Sequence, residues 1–393
     1  MLELKKLIGL ENFIVEEIVE QYDTLIFVGY LERKKHICPR CGSLTREVKD
    51  IRIQLIKDIP AFGKNIFIKL KKQRYICRKC DKSFYEENNF LQKYQRNTNR
   101  VLEKIFEMTS QILTYTYISK ELNMPISTLI RKFDLLEYPK TDLKNVEVLA
   151  IDEFKGNTGG EKYNCILADP KRKIVLDILP KRYKPDLQIY FFNIDKNTRD
   201  NIKIFISDMW QTYFDIAKDK FKNSKFVVDK YHWVRQGIWA FENVRKKEQK
   251  NFSKEYRKYF KRSKSLLTKK FDFLEDEEKQ QVNIMLYHSE KIRMAHDLKE
   301  EFFKILECKD REEAKKKLTE WIKYAQSSGL KAFKKCADTF VNWSKGILNS
   351  FDTKYTNGFI EGCNNKIKVL KRISFGCKNF NRFRNRILHI FNY

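Results

Sequence analysis

The chain has 393 residues, 42% of them hydrophobic, which at roughly 100–200 residues per domain allows two to four folded units and excludes wholesale disorder. Eighty Lys and Arg against 52 Asp and Glu give a formal charge of +28, which repels itself and points to a polyanionic partner. No apolar run reaches the roughly 18 residues of a membrane span and residues 1–10 lack a signal-peptide layout, so the expectation is a soluble, cytoplasmic, nucleoid-associated protein with no membrane contact.

Nine cysteines are an odd number, and a disulfide framework is not expected in an intracellular basic protein. Two pairs match, Cys38-Pro-Arg-Cys41 and Cys77-Arg-Lys-Cys80. Each spacing places two thiolates on one tight knuckle, and two knuckles make the tetrahedral sulfur cage that structural Zn²⁺ prefers. Gly42 supplies the backbone freedom such a knuckle needs. Between the pairs, 51–55 and 66–70 alternate apolar with polar residues and predict two β-strands, hence a zinc-ribbon-like unit over residues 1–95. A redox role for either pair alone is the competing idea. Cys165, Cys308, Cys336, Cys363 and Cys377 are scattered and read as packing residues.

From Arg100 the period becomes helical, with Val101, Ile105, Met108 and Ile112 at three- and four-residue steps. A short helix ending near Leu122, a turn through Asn123-Met-Pro125 and a second helix follow. Ile118, Leu122, Leu129 and Phe133 form the expected seam, while Ser127, Thr128, Arg131 and Lys132 face outward, as on a DNA-recognition helix. The span 96–140 is therefore read as a helix-turn-helix DNA-binding domain. A plain helical hairpin linking two domains is the alternative.

After a linker at 138–142 the chain becomes α/β. Strands are predicted at 146–152, 162–168 and 173–179, a helix at 186–194, and further strands at 202–208 and 225–229. Three antiparallel strands followed by helix-separated ones match a ribonuclease-H-like layout. Asp152 and Asp208 end the first and fourth strands, where a carboxylate meets water, metal or substrate instead of a dry interior. Two neighbouring carboxylates repel unless a divalent cation takes up their charge, and hard oxygen ligands suit Mg²⁺ or Mn²⁺.

A later acid stands in a cationic stretch. From residue 354 to 393 there are nine Lys or Arg and one acid, Glu361. Ile360, Cys363, Ile367 and Leu370 form a buried helical stripe there, with Glu361, Asn365, Lys368 and Arg372 on an adjacent face. Glu361 is either a salt-bridge partner or a metal ligand flanked by phosphate-binding cations.

The set Ile-Asp152-Glu-Phe, Ser-Asp208-Met-Trp, Val-Val-Asp229-Lys-Tyr-His232 and Thr-Asn-Gly-Phe-Ile-Glu361-Gly-Cys-Asn-Asn-Lys-Ile-Lys resembles the DDE transposases of bacterial insertion sequences. It is most similar to their ISL3 group, which also carries an N-terminal zinc knuckle and helix-turn-helix. The resemblance runs along essentially the whole chain, and its C-terminal block is the most specific part. It implies that Asp152, Asp208 and Glu361 are a catalytic triad holding two divalent metals, Mg²⁺ or Mn²⁺, in a ribonuclease-H-like fold. It gives Asp229 and His232 an accessory role, orienting or contacting DNA.

The stretch between the fifth strand and Glu361 reads as helical, with Ala295, Leu298, Phe302 and Ile305 on one period and Ala314, Leu318, Trp321 and Ala325 on another. Residues 241–270 carry twelve basic and three acidic side chains, which suits an all-helical insertion lying over DNA. The expected organisation is a multidomain α/β chain: core over 141–245, all-α insertion over 246–350, final core helices over 351–393. The resemblance implies a homo-oligomer that binds double-stranded DNA at the element's terminal inverted repeats, cuts it with Mg²⁺ and joins it to target DNA. The competing readings are a zinc-containing transcriptional regulator with an inactive core, and a ribonuclease-H-like nuclease that cuts without joining.

Overall fold

The computed structural model describes residues 8–10, 12–138 and 143–393. Of the expected linker at 138–142, residues 139–142, and with them the boundary near residue 140, lie outside the described residues.

The first unit is built from β1 (Phe13–Gln21), β2 (Thr24–Leu31), β3 (His36–Ile37), β4 (Leu44–Thr45), β5 (Val48–Lys57), β6 (Asn65–Ile76) and β7 (Ser83–Tyr85). Its main sheet has the order β1-β2-β6-β5, with β7 also pairing β6, and β3 and β4 form a separate small hairpin. Sequence reasoning did not find β1 or β2. As an edge strand β1 is mostly exposed and glutamate-rich, so it lacks the clean alternation of a half-buried strand. The alternation at 51–55 found a real strand, β5, and the register with β6 decides which of its faces is covered. Leu55 pairs with Lys69 and Ile53 with Lys71, which puts Ile51, Ile53 and Leu55 on the solvent side. The core side belongs to Ile56, Ile66, Ile68 and Leu70.

Helices α1 (Asn99–Thr109), α2 (Tyr115–Glu121) and α3 (Ile126–Phe133) follow. The Thr114 hydroxyl caps α2 by accepting the Tyr117 N–H. Asn123 takes φ +42°, the left-handed conformation the turn demands, and Pro125 is the N-cap of α3. Ile118, Leu122, Leu129 and Phe133 are buried as expected, but Ile112 lies beyond the end of α1.

The second sheet contains β8 (Val148–Phe154), β9 (Asn164–Asp169), β10 (Ile174–Leu179), β11 (Ile204–Ser207) and β12 (Lys225–Val228), in the order β10-β9-β8-β11-β12. The first three are antiparallel in sequence, whereas β11 runs parallel to both β8 and β12. Helices α4 (Lys184–Phe192), α5 (Lys196–Asp200) and α6 (Gln211–Lys220) punctuate the parallel part. Leu187 and Phe191 of α4 and Tyr213 and Ile216 of α6 pack against one face of the sheet.

A helical segment follows: α7 (Lys230–Glu248), α8 (Lys254–Arg262), α9 (Lys264–Thr268), α10 (Asp276–Tyr287), α11 (Glu290–Leu306), α12 (Arg311–Ser327) and α13 (Lys331–Asn349). The two anticipated stripes, Ala295 to Ile305 and Ala314 to Ala325, enter one core with Trp233, Phe241 and Phe340. Helix α7 therefore packs with this segment from its first turn and runs straight through the expected boundary at 245. Gly237 lets α7 meet α11, since a Cβ there would sit 2.5 Å from the Phe302 ring.

Helices α14 (Gly358–Ile373) and α15 (Phe380–Asn392) cover the other face of the second sheet through Ile360, Cys363, Ile367, Phe383 and Ile387. Helix α15 also ties the α1–α3 unit to the sheet. Arg382 pairs with Asp134 at 2.6 Å, Arg386 donates to the Gln111 and Leu113 carbonyls, and His389 meets the Phe106 carbonyl. Cys165, Cys308, Cys336 and Cys363 are buried, in keeping with a packing role. Among the described residues no helix is long and apolar enough to cross a membrane.

Candidate active site and zinc centre

Both Cys-x-x-Cys turns lie in tight hairpins, Cys38 and Cys41 between β3 and β4, Cys77 and Cys80 between β6 and β7. The turns close alike, with Gly42 N–H donating to the Cys38 carbonyl and Asp81 N–H to the Cys77 carbonyl. Gly42 and Asp81 both have positive φ, +71° and +55°. The four sulfurs lie within 4.8 Å of one another, with Cys38–Cys80 and Cys41–Cys77 each at 3.5 Å. Ligands about 2.3 Å from a tetrahedral Zn²⁺ stand at nearly that separation. Hydrogen bonding, chiefly from Ser43, draws the Cys41 thiol down to about 6, favouring the thiolate a metal needs.

The acids gather at the carboxyl ends of the parallel strands. The β8–β11 ladder ends at Ala150 opposite Ile206, while β8 runs on to Phe154 paired with β9. Asp152 is thus not the last residue of its strand, as expected, but stands beside the gap where β11 stops. Asp208 directly follows β11 and Asp229 directly follows β12, whose N–H donates to the Ser207 carbonyl.

The Asp152 carboxylate accepts the Glu153 N–H at 2.8 Å and the Asn364 amide of α14 at 3.0 Å. Burial, then the nearby charges of Glu153, Asp229 and Glu361, push its carboxyl up to about 7. Burial likewise lifts Asp208 to about 7, helped by Glu153, Asp152 and Asp229 and opposed by Arg182. Asp208 Oδ1 is buried without a hydrogen-bond partner. Glu361 is exposed on the first turn of α14, close enough to raise Asp152 and to act on His232. Among the described residues only the four cysteines form a group of three or more such side chains with ligand atoms all within 4.8 Å of one another, so these carboxylates do not close into a cluster that tight.

Asp229 is buried and accepts the N–H of Asn357, the N-cap of α14, at 3.0 Å. That bond fixes where the helix bearing Glu361 begins. Burial lowers His232 to about 4, so its imidazole is neutral at neutral pH. On α3, Ser127 and Arg131 face solvent and Thr128 is half-buried. Lys132 departs from expectation, because its ammonium turns inward to the Gln95 side chain. Asn365, Lys368 and Arg372 are exposed on α14, with Lys368 donating to Asn365 at 3.2 Å.

Sequence reasoning missed a second layer of contacts around these carboxylates. Glu153 pairs with Arg182 and accepts the Tyr213 hydroxyl at 3.3 Å. The Arg182 guanidinium lies over the rings of Tyr163, at 4.4 Å, and Trp210, at 5.1 Å. Asn364 was missed as well, although a polar residue within a buried stripe was its signal. A stacked, paired guanidinium is held in one orientation, and lysine cannot reproduce that geometry. Arg182→Lys is therefore expected to slow whatever chemistry these carboxylates support about tenfold or more, measured as single-turnover rates beside wild type.

Residues 149–387 match the ISL3-type DDE transposase family, and residues 34–80 match the zinc finger of the transposases of IS204, IS1001, IS1096 and IS1165. The chain belongs to the ISL3 family of DDE transposases. It is similar to the transposase for insertion sequence element IS1001 of Bordetella parapertussis, with 24% identity over 355 residues, 88% of this chain and 86% of that protein. The chain is thus a DNA transposase with an N-terminal zinc ribbon, and the cysteine cluster is its structural zinc site.

Proposed function

We propose that Asp152, Asp208 and Glu361 form the catalytic triad of a ribonuclease-H-like core that cuts the element's inverted-repeat ends and joins them to target DNA. One observation carries this reading. Asp152, where β8 runs on past its ladder with β11, and Asp208, directly after β11, are both raised to about 7 by burial and by the acids around them, and Asp208 keeps an oxygen buried without a partner. Such a donor set fits hard divalent cations, Mg²⁺ or Mn²⁺. When bound, a pair of such ions would activate water or a DNA 3′-hydroxyl and stabilise the leaving oxygen.

The chain's own residues do the rest. Asn364 and the Glu153 N–H orient Asp152, and Asp229 anchors the helix that presents Glu361. His232, neutral and beside Glu361, is an accessory group that orients the carboxylate or meets DNA. Helices α2 and α3 act as a helix-turn-helix in which Ser127, Thr128 and Arg131 reach bases and phosphates. On α14, Lys368 and Arg372 with Asn365 hold the DNA backbone beside Glu361. The domain division we propose is zinc ribbon, helix-turn-helix, core, helical insertion from α7 to α13, and closing core helices. Two DNA ends must be brought together, so the working form is a homo-oligomer on DNA, in the cytoplasm at the nucleoid.

The test incubates purified protein with labelled element ends, target DNA and Mg²⁺ or Mn²⁺. Joined products support the reading, and hydrolysis without joining would mark a nuclease instead. No metal-dependent product at all would leave a DNA-binding regulator.

A pH effect follows from the same carboxyls. Their ordinary value is 3.8 and their folded value about 7, so the folded chain holds protons that the unfolded chain has released between those limits. This contribution to stability is complete below about pH 4 and is lost as pH rises through 7. Metal-free protein should therefore melt at progressively lower temperature from about pH 5 to 8, and saturating Mg²⁺ should flatten or reverse that slope. Thermal scans in EDTA and in Mg²⁺ across this range check it.

A further inference from the structure

Lys and Arg make up 80 of the 393 residues, yet residues 12–31 contain neither and carry Glu16, Glu17, Glu20 and Asp23. They form β1, an edge strand, and β2, joined by the two-residue loop Tyr22-Asp23. Beside it lies a second loop, Phe62-Gly63, closed by hydrogen bonds between Ala61 and Lys64. The two loops are fastened together. Asn65 donates its N–H to the Asp23 carbonyl at 2.7 Å and its side-chain amide to the Asp23 carboxylate at 3.0 Å. Each loop puts a ring where a tight hairpin favours glycine or asparagine, with Tyr22 at φ +50° and Phe62 at φ +55°. Tyr22 stands wholly in solvent and Phe62 is 76% exposed. Tyr94 and Phe375 are also exposed at positive φ, so exposure alone singles out no ring. Tyr22 and Phe62 differ in standing on joined loops at the end of an acidic hairpin, where Lys64 is already paired with Glu20.

A complementary surface lies on the core. Between α6, the start of β12 and α13 there is a groove of about 650 Å³. Its wall is aromatic, with the Phe214 ring edge-on to Phe226 at 5.1 Å and to Trp343 at 5.8 Å. Lys218, Lys222 and Lys345 line it and are exposed, and no carboxylate is among its lining residues. Lys225 opens β12 here, whereas Asp229 follows the other end of that strand, so the groove is separate from the carboxylate site. An apolar slot edged by ammonium groups fits a ring carried on an acidic loop. One copy does not bring the two together. Asn65 ties the loops to Asn123 of the α1–α3 unit, and α15 fastens that unit to β10 through Arg384 on Asp177 and Asn392 on the Val175 carbonyl. The groove is at β12, the opposite edge of the same sheet. A seat for a small anion is the plain alternative, and it leaves the two joined rings without a role.

We propose that the Tyr22 and Phe62 loops of one copy dock into the lysine-edged groove between α6, β12 and α13 of a second copy. The proposal rests on the homo-oligomer reading and gives that assembly a contact surface. Two copies related by a two-fold axis make the contact twice, which closes the pair. Heavy-isotope protein with photoreactive p-benzoylphenylalanine in place of Tyr22 is mixed with light wild-type protein on element-end duplex, without added Mg²⁺. Light scattering gives the mass of the complex. Two chains per complex are expected, with cross-links from the heavy chain to light peptides within 214–226 or 342–349. Lys222→Glu with Lys345→Glu should weaken pairing tenfold or more, as should Glu20→Lys with Asp23→Lys. All four changes in one chain should restore pairing to within about threefold of wild type, because both signs are then reversed. Tyr22→Asn with Phe62→Asn should also weaken pairing tenfold or more, yet melt no lower than wild type, since asparagine suits the left-handed turn.

A two-chain complex whose cross-links map elsewhere would overturn the docking and leave the homo-oligomer standing, as would charge reversals that do not rescue one another. Weakening by the groove variants alone, with the loop variants pairing like wild type, would make the groove a seat for DNA or a small anion. That result would overturn the docking too. Failure of the homo-oligomer reading would look different. Wild-type protein would then give one chain per complex at every concentration, and the docking would fall with it.

Discussion

Asp208→Ala protein is expected to bind element ends within about twofold of wild type and to cut them about a thousandfold more slowly, the several kcal/mol lost with a metal-binding carboxylate. Asp208 is the sharper probe of the three acids because it supports little else. One of its oxygens is buried without a partner. Asp152, by contrast, holds the Asn364 amide and the Glu153 N–H, and its removal would strand both. The stability arm moves the other way from activity. Above pH 7 an ionised Asp208 is repelled by Glu153, Asp152 and Asp229, so metal-free Asp208→Ala should melt no lower than metal-free wild type at pH 8. Asp229→Ala should instead melt lower, because it removes the acceptor of the Asn357 N–H at the start of α14. Cutting at the wild-type rate by Asp208→Ala protein would remove the triad assignment.

The parts legible in the amino-acid sequence were those whose physics is local. Each cysteine knuckle is written within four residues, and the left-handed Asn123 before Pro125 marks the turn between α2 and α3. The strands of the second sheet are dry runs, so an acid at the end of one, such as Asp208, stands out. What stayed hidden depends on partners distant along the chain. Glu153 meets Arg182 across 29 residues, and Asn364 meets Asp152 across 212. Nothing in the spacing of these residues announces either contact. The covered face of β5 was not legible, because a period of two marks a strand without saying which side is covered. There the register with β6 decides, and it turns Ile53 toward Lys71 and the solvent. Helix α7 crossed its expected boundary for a similar reason. Its apolar residues belong to a core whose other members are spread over α8 to α13, up to about a hundred residues later in the chain.

Loss of the zinc cage should be nearly as severe, but for a different activity. Cys77→Ser removes one of four ligands, and a tetrahedral site of this kind contributes about 10 kcal/mol or more to the structure it organises. That structure is limited. The β3–β4 hairpin has only two residue pairs, and β7 pairs β6 over three, too few to persist in water without a clamp. The main sheet has its own core of Phe13, Ile56, Ile66, Ile68 and Leu70, and Arg100 holds it to the helical unit through Asp58. The variant should therefore release its zinc and become protease-sensitive between about residues 33 and 47 and around 77–85, with the second sheet and the helical segment unchanged. Binding to element ends should fall tenfold or more, while any metal-dependent cutting of DNA supplied at saturating concentration persists. Zinc content by mass spectrometry, limited proteolysis and end-binding anisotropy decide it. Full zinc occupancy in Cys77→Ser would show that the cage closes without this thiolate and would sink the four-cysteine assignment.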